Sequence, residues 1–373
     1  MNIGIVLEER KSESRISIIP ETILKFENHK FSIVKDAGIK SGFYNEEYEN
    51  SGARIVENNK KLISENDLII SVNALDSDYY KYFLQKSILI SNFETFTNTN
   101  SIKNLIENNI TSLALERIPR IARAQSMDVL SSQASVSGYK SVLIAASKLN
   151  KYFPMLMTAA GTIPPAKVLI LGAGVAGLQA IATAKRLGAS VTAFDVRKEV
   201  KEQVESLGAK FLEINTIENS QEKSGYAKEQ SSEKNKSTAD FLHPSIIQSD
   251  CVITTAMIPG KKSPILINKN SVENMKKGSV IIDLAAERGG NCELTKQDRT
   301  IIHNEVHIIG TLNIPSTMPY HASQLLSKNM ESLLKLLLKD EIINLNFDDE
   351  IINDLCLTHN KEDRHKLFTT IRN

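Results

Sequence analysis

Short apolar runs alternate with polar stretches through residues 1–133 of the chain. The apolar runs have the length of β-strands, and the polar stretches have the length of short helices or turns. Strands that alternate with helices in this way predict a parallel sheet covered on both faces. The six runs begin at Ile3, Phe31, Ala53, Asp67, Ser87 and Thr111.

The spacing of apolar positions changes at Ser126, where a long run with few helix breakers begins. The helical spacing of this run predicts one long helix that bridges two domains, although Gly138 weakens it slightly. Residues 158–166 contain a glycine and two prolines, so they predict a loop before the second domain. The apolar positions of the helix are Val129, Val136, Tyr139, Val142, Leu143 and Ala146.

The second half of the chain also alternates strands with helices. A polar stretch at 215–238 is too long for an ordinary connection and is typical of a functional lid or of disorder. A final helix is predicted over residues 319–339, followed by an acidic tail. The other predicted elements are strand 167–171, helix 174–187, strand 190–195, helix 198–207, and strands 210–213, 251–255, 279–284 and 306–310.

These patterns predict an α/β protein with two Rossmann-like domains, each with a parallel sheet, linked by long helices and separated by a cleft. The N-terminal α/β domain comprises residues 1–133 and is completed by residues 319–373. The Rossmann domain comprises residues 134–318 and includes the polar stretch 215–238 as a mobile loop. The length of 373 residues supports two domains, since one hydrophobic core stops growing at ~250 to 300 residues.

Composition and charge exclude several classes of function. Hydrophobic residues make up 41% of the chain and charged residues 24%, which is typical of a globular protein. The net charge of +1 lacks the basic surplus that nucleic-acid binding requires. Three widely spaced cysteines favour a reducing compartment, and no metal site is expected. Because neither a signal segment nor a membrane span is recognisable, we expect a cytoplasmic protein without direct membrane insertion.

The strongest local signal is a G-x-G-x-x-G pattern at Gly172, Gly174 and Gly177, between an apolar strand and a helix. The first glycine permits a tight turn, the second lets the backbone approach a pyrophosphate, and the third lets helix and strand pack closely. The helix N-terminus then favours phosphate charge. The next strand ends in Asp195, at the distance expected of a ribose-binding acid. This context favours dinucleotide binding over a glycine-rich turn without a ligand.

Asp195 also bears on which dinucleotide binds. Its carboxylate should accept hydrogen bonds from the adenosine ribose and repel a 2′-phosphate, so NAD(H) is favoured over NADP(H). Arg197 has two interpretations, a residue that lines the adenine pocket or a clamp for a 2′-phosphate. The first interpretation is preferred.

A second group of polar residues lies between Glu116 and Ser131, at the end of a first-domain strand. Arg, Gln and Asp side chains in such a loop can bind a carboxamide and a ribose. Helix capping would explain the same residue types, with Ser126 as the N-cap and Asp128 in the first turn. The residues alone leave both interpretations open.

Four long motifs of the chain resemble the alanine dehydrogenase and pyridine nucleotide transhydrogenase family, and the resemblance runs nearly end to end. Within that family, the chain is most similar to the NAD(H)-binding alpha subunits of proton-translocating NAD(P) transhydrogenases. The motifs are RIPRIARAQSMDVLSSQ, PPAKVLILGAGVAGLQAIATAKRLGASVTAFDVR, TTAMIPGKKSPILI and SVIIDLAAERGGNCEL.

The resemblance implies a role for individual residues. The mobile loop would close over the nucleotide through Gly225 and Tyr226, and Met257 would contact the cofactor. The loop beside the nicotinamide would comprise Arg120, Gln125 and Asp128, which act on the reacting ring, with Ser131 nearby. The remaining cofactor contacts would be Gly172, Gly174, Val175 and Gly177 at the pyrophosphate and Asp195, Val196 and Arg197 at the adenosine.

The resemblance also implies an activity with partners. NADH bound to this chain would transfer a hydride directly to NADP+ bound on an NADP(H)-binding domain of another subunit, coupled to proton translocation through a membrane-spanning subunit. The chain would form a homodimer and would lie peripheral to the inner (plasma) membrane through these partners. Hydride transfer between two nicotinamides needs no acid or base on the protein.

Two other functions remain as alternatives. An alanine dehydrogenase needs a Lys and a His in its first domain, and the family pattern places Asn73 and Glu94 near those positions here. The resemblance therefore favours a transhydrogenase over an amino-acid dehydrogenase. A non-catalytic NAD(H)-binding sensor would share every binding motif, and dependence on a partner would distinguish it.

Overall fold

A computed structural model describes residues 1–95, 99–214, 232–258, 261–339 and 342–366. The chain forms two compact units. The first unit combines Met1–Gln133 with Pro315–Asn373, and the second unit is Ala134–Ile314. The helix α5, defined below, contains the boundary between Gln133 and Ala134.

The strands of the described residues fall into two large sheets and two small hairpins. In chain order they are β1 (Asn2–Ile5), β2 (Lys30–Val34), β3 (Arg54–Val56), β4 (Leu68–Asn73), β5 (Ile88–Asn92), β6 (Thr111–Ala114), β7 (Leu156–Thr158), β8 (Gly161–Ile163), β9 (Lys167–Leu171), β10 (Ser190–Phe194), β11 (Lys210–Leu212), β12 (Cys251–Thr254), β13 (Val280–Asp283), β14 (Thr300–His303), β15 (Val306–Ile309), β16 (Leu338–Lys339), β17 (Ile342–Ile343), β18 (Cys356–His359) and β19 (Glu362–Asp363).

The α-helices range from a single turn to twenty residues. They are α1 (Pro20–Ile23), α2 (Asn45–Asn50), α3 (Asn59–Glu65), α4 (Thr99–Glu107), α5 (Val129–Lys148), α6 (Val175–Arg186), α7 (Lys201–Ser206), α8 (Ser232–Gln248), α9 (Lys269–Glu273), α10 (Pro319–Leu337) and α11 (Glu350–Leu355). Short 3-10 helices lie at Ile39–Ser41, Ser77–Tyr82, Leu115–Arg117, Ala122–Met127, Lys198–Val200, Ala286–Arg288 and Ile314–Thr317.

The sheet of the first unit has the strand order β19-β18-β6-β5-β4-β1-β2-β3. The six strands from β6 to β3 are parallel, and all six residues of β4 are buried. Continuous burial explains why this strand is mostly apolar rather than alternating between apolar and polar residues. The antiparallel strand β18 extends the sheet beside β6, so the C-terminal tail forms part of this unit.

The sheet of the second unit has the order β11-β10-β9-β12-β13-β15-β14. All neighbours are parallel except β14, which runs antiparallel beside β15. Strands β9 and β12 are adjacent although β10 and β11 follow β9 in the chain. The strand order therefore reverses between β9 and β12, and ligands of such sheets bind at the carboxyl ends of the strands beside this switch point.

Several predicted boundaries differ from the structure, and two of these differences have a clear physical reason. The long helix begins at Val129 rather than at Ser126, because the side chain of Asp128 caps it. The mobile loop does not extend to residue 238, since residues from Ser232 belong to α8. Thr238 and Ala239 are buried, and the helix packs Leu242 into the core of the second unit. This burial explains why the segment is helical rather than part of a loop. The rest of the predicted loop, with Gly225 and Tyr226, lies outside the described residues.

Within the part of the chain that the structure describes, every helix is too short or too polar to cross a bilayer.

Candidate functional site

The glycine-rich turn joins β9 to α6 at the switch point of the second sheet. Gly172 has a φ of +101°, and a Cβ there would lie 2.5 Å from Thr255 Oγ1. A Cβ at Gly177 would lie 1.9 Å from the carbonyl oxygen of Gly172. Both positions therefore require glycine, because the turn and the first turn of α6 leave no space for a side chain.

Gly174 differs from the other two glycines because the space beside it is open. It is the N-cap of α6, and the nearest atom to a Cβ at this position would be Arg197 Nη2, 4.0 Å away. Val175 is the first residue of the helix and is 38% exposed. The first N–H groups of a helix have no partner within it and carry partial positive charge. The open backbone at Gly174 thus fits a diphosphate group.

Asp195 follows β10 and interacts with both the glycine-rich turn and Arg197. Its Oδ2 accepts a hydrogen bond from the backbone N–H of Ala173 at 2.7 Å. Its two oxygens also accept from Arg197 Nε and Nη2, each at 2.9 Å, and Oδ1 accepts from the Arg197 backbone N–H at 2.9 Å. The hydrogen bond to Asp195 raises the pKa of Arg197, although burial opposes this shift.

The sequence did not reveal that these two residues form an ion pair. The Asp195 side chain is 6% exposed and the Arg197 side chain 14% exposed, so the ion pair is largely shielded from water. Val196 between them packs against the core of the unit. A ribose bound at Asp195 would share the carboxylate with Arg197 and Ala173.

The loop after β12 contacts the same glycine-rich turn. Thr255 donates its backbone N–H to the Leu171 carbonyl at 2.8 Å and its hydroxyl to the Gly172 carbonyl at 3.1 Å. Met257, two residues further along, is 43% exposed. The structure therefore brings the carboxyl ends of β9, β10 and β12 together with the predicted residues that follow them.

In the first unit, the loop after β6 carries the other predicted site residues. Arg120 and Gln125 are exposed, and Gln125 lies in the 3-10 helix Ala122–Met127. Asp128 accepts from the Ser131 backbone N–H at 2.9 Å and from the Ser131 hydroxyl at 2.5 Å. The cap of α5 is thus Asp128, and the interpretation with Ser126 as the N-cap is wrong.

A buried network of hydrogen bonds and one ion pair, which the sequence patterns did not predict, lies at the switch point of the first sheet, between β1 and β4. Arg15 forms a bidentate pair with Glu13 at 2.8 and 2.7 Å, and Asn73 Nδ2 donates to Glu13 Oε2 at 2.9 Å. The carboxylate of Glu8 accepts the backbone N–H groups of Val72 and Asn73. The charged run directly after β1 was the available signal, but its partners are distant in sequence.

The two carboxylates of this network have opposite pKa shifts. Burial raises the pKa of Glu8 to about 7, against the hydrogen bonds from Val72 and Asn73. Burial also acts to raise the pKa of Glu13, but the hydrogen bonds and charge of Arg15 lower it to about 2. Glu13 is therefore ionised at neutral pH, and Glu8 is close to its midpoint.

The fold and the glycine-rich turn define a dinucleotide-binding protein of the Rossmann class. Two family models match the chain, "Alanine dehydrogenase/PNT, N-terminal domain" over residues 4–137 and "Alanine dehydrogenase/PNT, C-terminal domain" over residues 141–366. The chain belongs to this family of pyridine nucleotide oxidoreductases. The resemblance inferred from the four motifs is confirmed, as is the predicted α/β class with mainly parallel sheets.

Individual relatives agree with this assignment. The NAD(P) transhydrogenase subunit alpha of Haemophilus influenzae is 41% identical over 368 residues, which cover 97% of this chain and 72% of that protein. The protein of the same name from Cereibacter sphaeroides is 40% identical over 369 residues, which cover 96% of this chain and 70% of that protein. Among solved structures, the transhydrogenase from Sinorhizobium meliloti has a TM-score of 0.85 and 35% identity, covering 97% of this chain and 98% of that one.

Proposed function

We propose that the chain is the NAD(H)-binding subunit of a proton-translocating NAD(P) transhydrogenase. The observation that carries this proposal is the contrast between the two switch points. In the second unit, the turn after β9 leaves open backbone at Gly174. In the first unit, Glu8 occupies the N–H groups at the end of β4, and the sequence there has no glycine-rich turn. Of the two sheets that the structure describes, the second thus fits a dinucleotide, and we propose that the second nicotinamide comes from a partner.

Each predicted residue has a place in this proposal. Gly172, Gly174, Val175 and Gly177 would hold the diphosphate, and Asp195, Val196 and Arg197 would surround the adenosine. Arg120, Gln125 and Asp128 would orient the nicotinamide with Ser131, while Met257 would contact the cofactor from the loop after β12. Gly225 and Tyr226 would exclude water. NADH supplies the hydride when bound, so the residues of the chain act by orientation.

The choice of NAD(H) over NADP(H) follows from charge. The Asp195 carboxylate accepts hydrogen bonds from any nearby hydroxyl group but repels a 2′-phosphate. Arg197 would otherwise attract that phosphate, yet its guanidinium is paired with Asp195. We therefore assign NAD(H) to this chain and NADP(H) to the partner domain.

The surroundings of Asn73 and Glu94 argue against an amino-acid dehydrogenase. Asn73 donates its amide to Glu13, and an amide does not titrate. Glu94 pairs with Arg10 at 3.0 Å, and both side chains are about half exposed. Oxidative deamination needs a group that accepts and returns a proton at the substrate. These two positions offer no such pair, whereas direct hydride transfer requires none.

The self-association that we propose uses the β7–β8 hairpin of the second unit. No charged residue lies between Lys151 and Lys167. Met155 is 56% exposed, Met157 74% and Ile163 44%. An isolated two-stranded hairpin is marginally stable in water, and an uncharged surface can pair with its own copy without repulsion. A second copy of the chain is therefore the occupant that suits this surface.

A transhydrogenation assay tests the proposed function. The purified chain is mixed with an NADP(H)-binding transhydrogenase domain, with NADPH as donor and an acetylpyridine analogue of NAD+ as acceptor. A parallel reaction contains the chain, NAD+ and L-alanine. We expect turnover in the first mixture only, and only when both proteins are present. Turnover with alanine would establish the amino-acid dehydrogenase, and NADH binding without turnover in either mixture would indicate a sensor. Membrane coupling is tested separately, by proton uptake into vesicles that contain the membrane subunit.

A further inference from the structure

One side chain of the second unit holds the loop after β12 from both sides. Asn291 Oδ1 accepts from the backbone N–H of Ala256 at 3.0 Å, and Asn291 Nδ2 donates to the carbonyl of the same residue at 2.8 Å. The second hydrogen of Nδ2 is donated to the Pro264 carbonyl at 2.8 Å. Asn291 is fully buried, so these hydrogen bonds form away from water. The amide thus fixes both peptide groups of Ala256.

Asn291 is itself held by a buried carboxylate. Asp283 Oδ2 accepts the backbone N–H of Asn291 at 2.8 Å, and Asp283 is fully buried. Its two oxygens also accept hydrogen bonds from Thr254 Oγ1, the Ala285 and Cys292 backbone N–H groups, and Thr295 Oγ1. The carboxylate therefore links the ends of β12 and β13 to the residue that grips the loop.

Ala256, which Asn291 holds, lies between two residues of the candidate site. Thr255, on one side of Ala256, bonds to the Gly172 carbonyl of the glycine-rich turn. Met257, on the other side, is the predicted cofactor contact and is 43% exposed. Since Asn291 fixes both peptide groups of Ala256, it determines the position of Met257 relative to the glycine-rich turn.

We propose that Asn291, held by Asp283, is a positioning residue for the nicotinamide half of the bound dinucleotide. Asp195 at the end of β10 marks the adenosine side of the switch point, and β12 lies on the other side of β9. A dinucleotide that crosses the switch point places its second half over the end of β12. This inference rests on the proposed NAD(H) binding, but it does not depend on the transhydrogenase partner.

The test compares NADH with 5′-AMP, which contains only the adenosine half. In Asn291→Asp the side chain keeps its shape but loses both N–H donors and places a negative charge beside two carbonyls. We expect the Kd for NADH to rise about tenfold, while the Kd for 5′-AMP changes by less than about twofold. NADH fluorescence and calorimetry of the full chain measure the two constants. A merely structural role would change both constants together.

Asn274→Asp is the matched control. Asn274 is exposed on the same unit and donates its amide to the Asn270 carbonyl at 2.8 Å, so the substitution removes the same kind of donor and adds the same charge. It should leave both constants unchanged. If Asn291→Asp does not fold, Thr295→Val removes one donor to Asp283 and should raise the NADH constant alone by about threefold.

Specific outcomes would overturn the inference. An equal rise of both constants in Asn291→Asp, or an unchanged NADH constant in a folded Asn291→Asp or in Thr295→Val, would contradict it. Failure of the proposed function is distinguishable, because a chain that does not support transhydrogenation can still show the selective loss of NADH binding. A wild-type chain that binds 5′-AMP but not NADH would contradict both.

Discussion

Replacement of Asp195 by asparagine tests how the chain selects its nucleotide. The carboxylate accepts four hydrogen bonds, one from Ala173 and three from Arg197. An asparagine has a single acceptor oxygen, so with that oxygen at the Oδ1 position the N–H of Ala173 and Arg197 Nη2 lose the hydrogen bonds that they donate to Oδ2. The substitution also removes the carboxylate charge that pairs with the Arg197 guanidinium. We therefore expect effects on stability, affinity and selectivity together.

The magnitudes follow from the burial of the pair. Breaking one partner of a buried ion pair costs about 3 to 5 kcal/mol. Because Asp195 and Arg197 are 6% and 14% exposed rather than fully buried, we expect the free energy of unfolding to fall by about 2 to 4 kcal/mol. Loss of a charged hydrogen bond to the ribose costs about 1.5 to 3 kcal/mol, which raises the Kd for NADH roughly 10- to 150-fold. The Kd for NADPH should fall, since the substitution removes the negative charge that repels the 2′-phosphate.

Three measurements check these expectations. NADH and NADPH titrations by fluorescence give the two affinities, and urea denaturation gives the free energy of unfolding. Glu213→Gln is the control, because Glu213 pairs with Lys201 in the same unit but both side chains are about 40% exposed (39% and 41%). An exposed pair is worth about 0 to 1 kcal/mol, so this variant should resemble the wild type.

The interpretation of Asp195 fails if Asp195→Asn loses stability while its preference for NADH over NADPH stays within about twofold of wild type. In that case the carboxylate would serve only to fix Ala173 and Arg197, and nucleotide selection would lie elsewhere.

Three further predictions address other parts of the chain. The pKa of Glu8 is raised from 4.5 to about 7, so its contribution to stability is fully present below pH 4.5 and is lost as the pH rises through 7. In Glu8→Gln, the difference between the free energies of unfolding at pH 5 and pH 8 should therefore shrink by up to about 3 kcal/mol, as measured by denaturation at both pH values. Asp128→Asn keeps an N-cap acceptor, so the free energy of unfolding should change by less than about 1 kcal/mol. If Asp128 also orients the nicotinamide, the rate of hydride transfer in the transhydrogenation assay should fall by more than this loss of stability explains. Met157→Glu should convert the proposed homodimer to a monomer in light scattering, whereas a dimer that persists would place self-association on another surface.

Most strands could be predicted from the sequence because the parallel strands are buried on both faces. The runs that begin at Ile3 and Asp67 became β1 and β4 within a residue of their predicted starts. The antiparallel strands β14, at the edge of the second sheet, and β18, between β6 and β19, were missed, since neither contains a long apolar run. Helix α8 was missed because Pro244 lies inside it and its first turns are polar. The polar residues of the first turns thus concealed the helical pattern of the residues that α8 buries further along, such as Leu242.

The site was predictable only where its residues are close in sequence. The glycine-rich turn is one continuous segment, and its spacing reflects the close approach of Gly177 to Gly172. The clamp of Asn291 on Ala256 spans 35 residues, and the hydrogen bond of Arg15 to Gln133 spans 118. No periodicity links such partners, because the sheet topology alone brings them together. The capping of α5 was ambiguous for another reason: Ser126 and Asp128 are both good N-cap residues, and the choice depends on where the helix begins.

The two sheets share a strand order at their centres, β3-β2-β1-β4-β5-β6 in the first unit and β11-β10-β9-β12-β13-β15 in the second. The topology therefore offers two equivalent switch points, and the residues after the first strand decide what each one does. After β9 the chain continues with Gly172, whose φ of +101° turns the backbone away and leaves Gly174 open. After β1 it continues through Val6 and Leu7 to Glu8, whose carboxylate accepts the N–H groups at the end of β4. In the described residues, the first unit thus engages the strand end at its switch point with its own side chain, whereas the second unit leaves open backbone at the equivalent point.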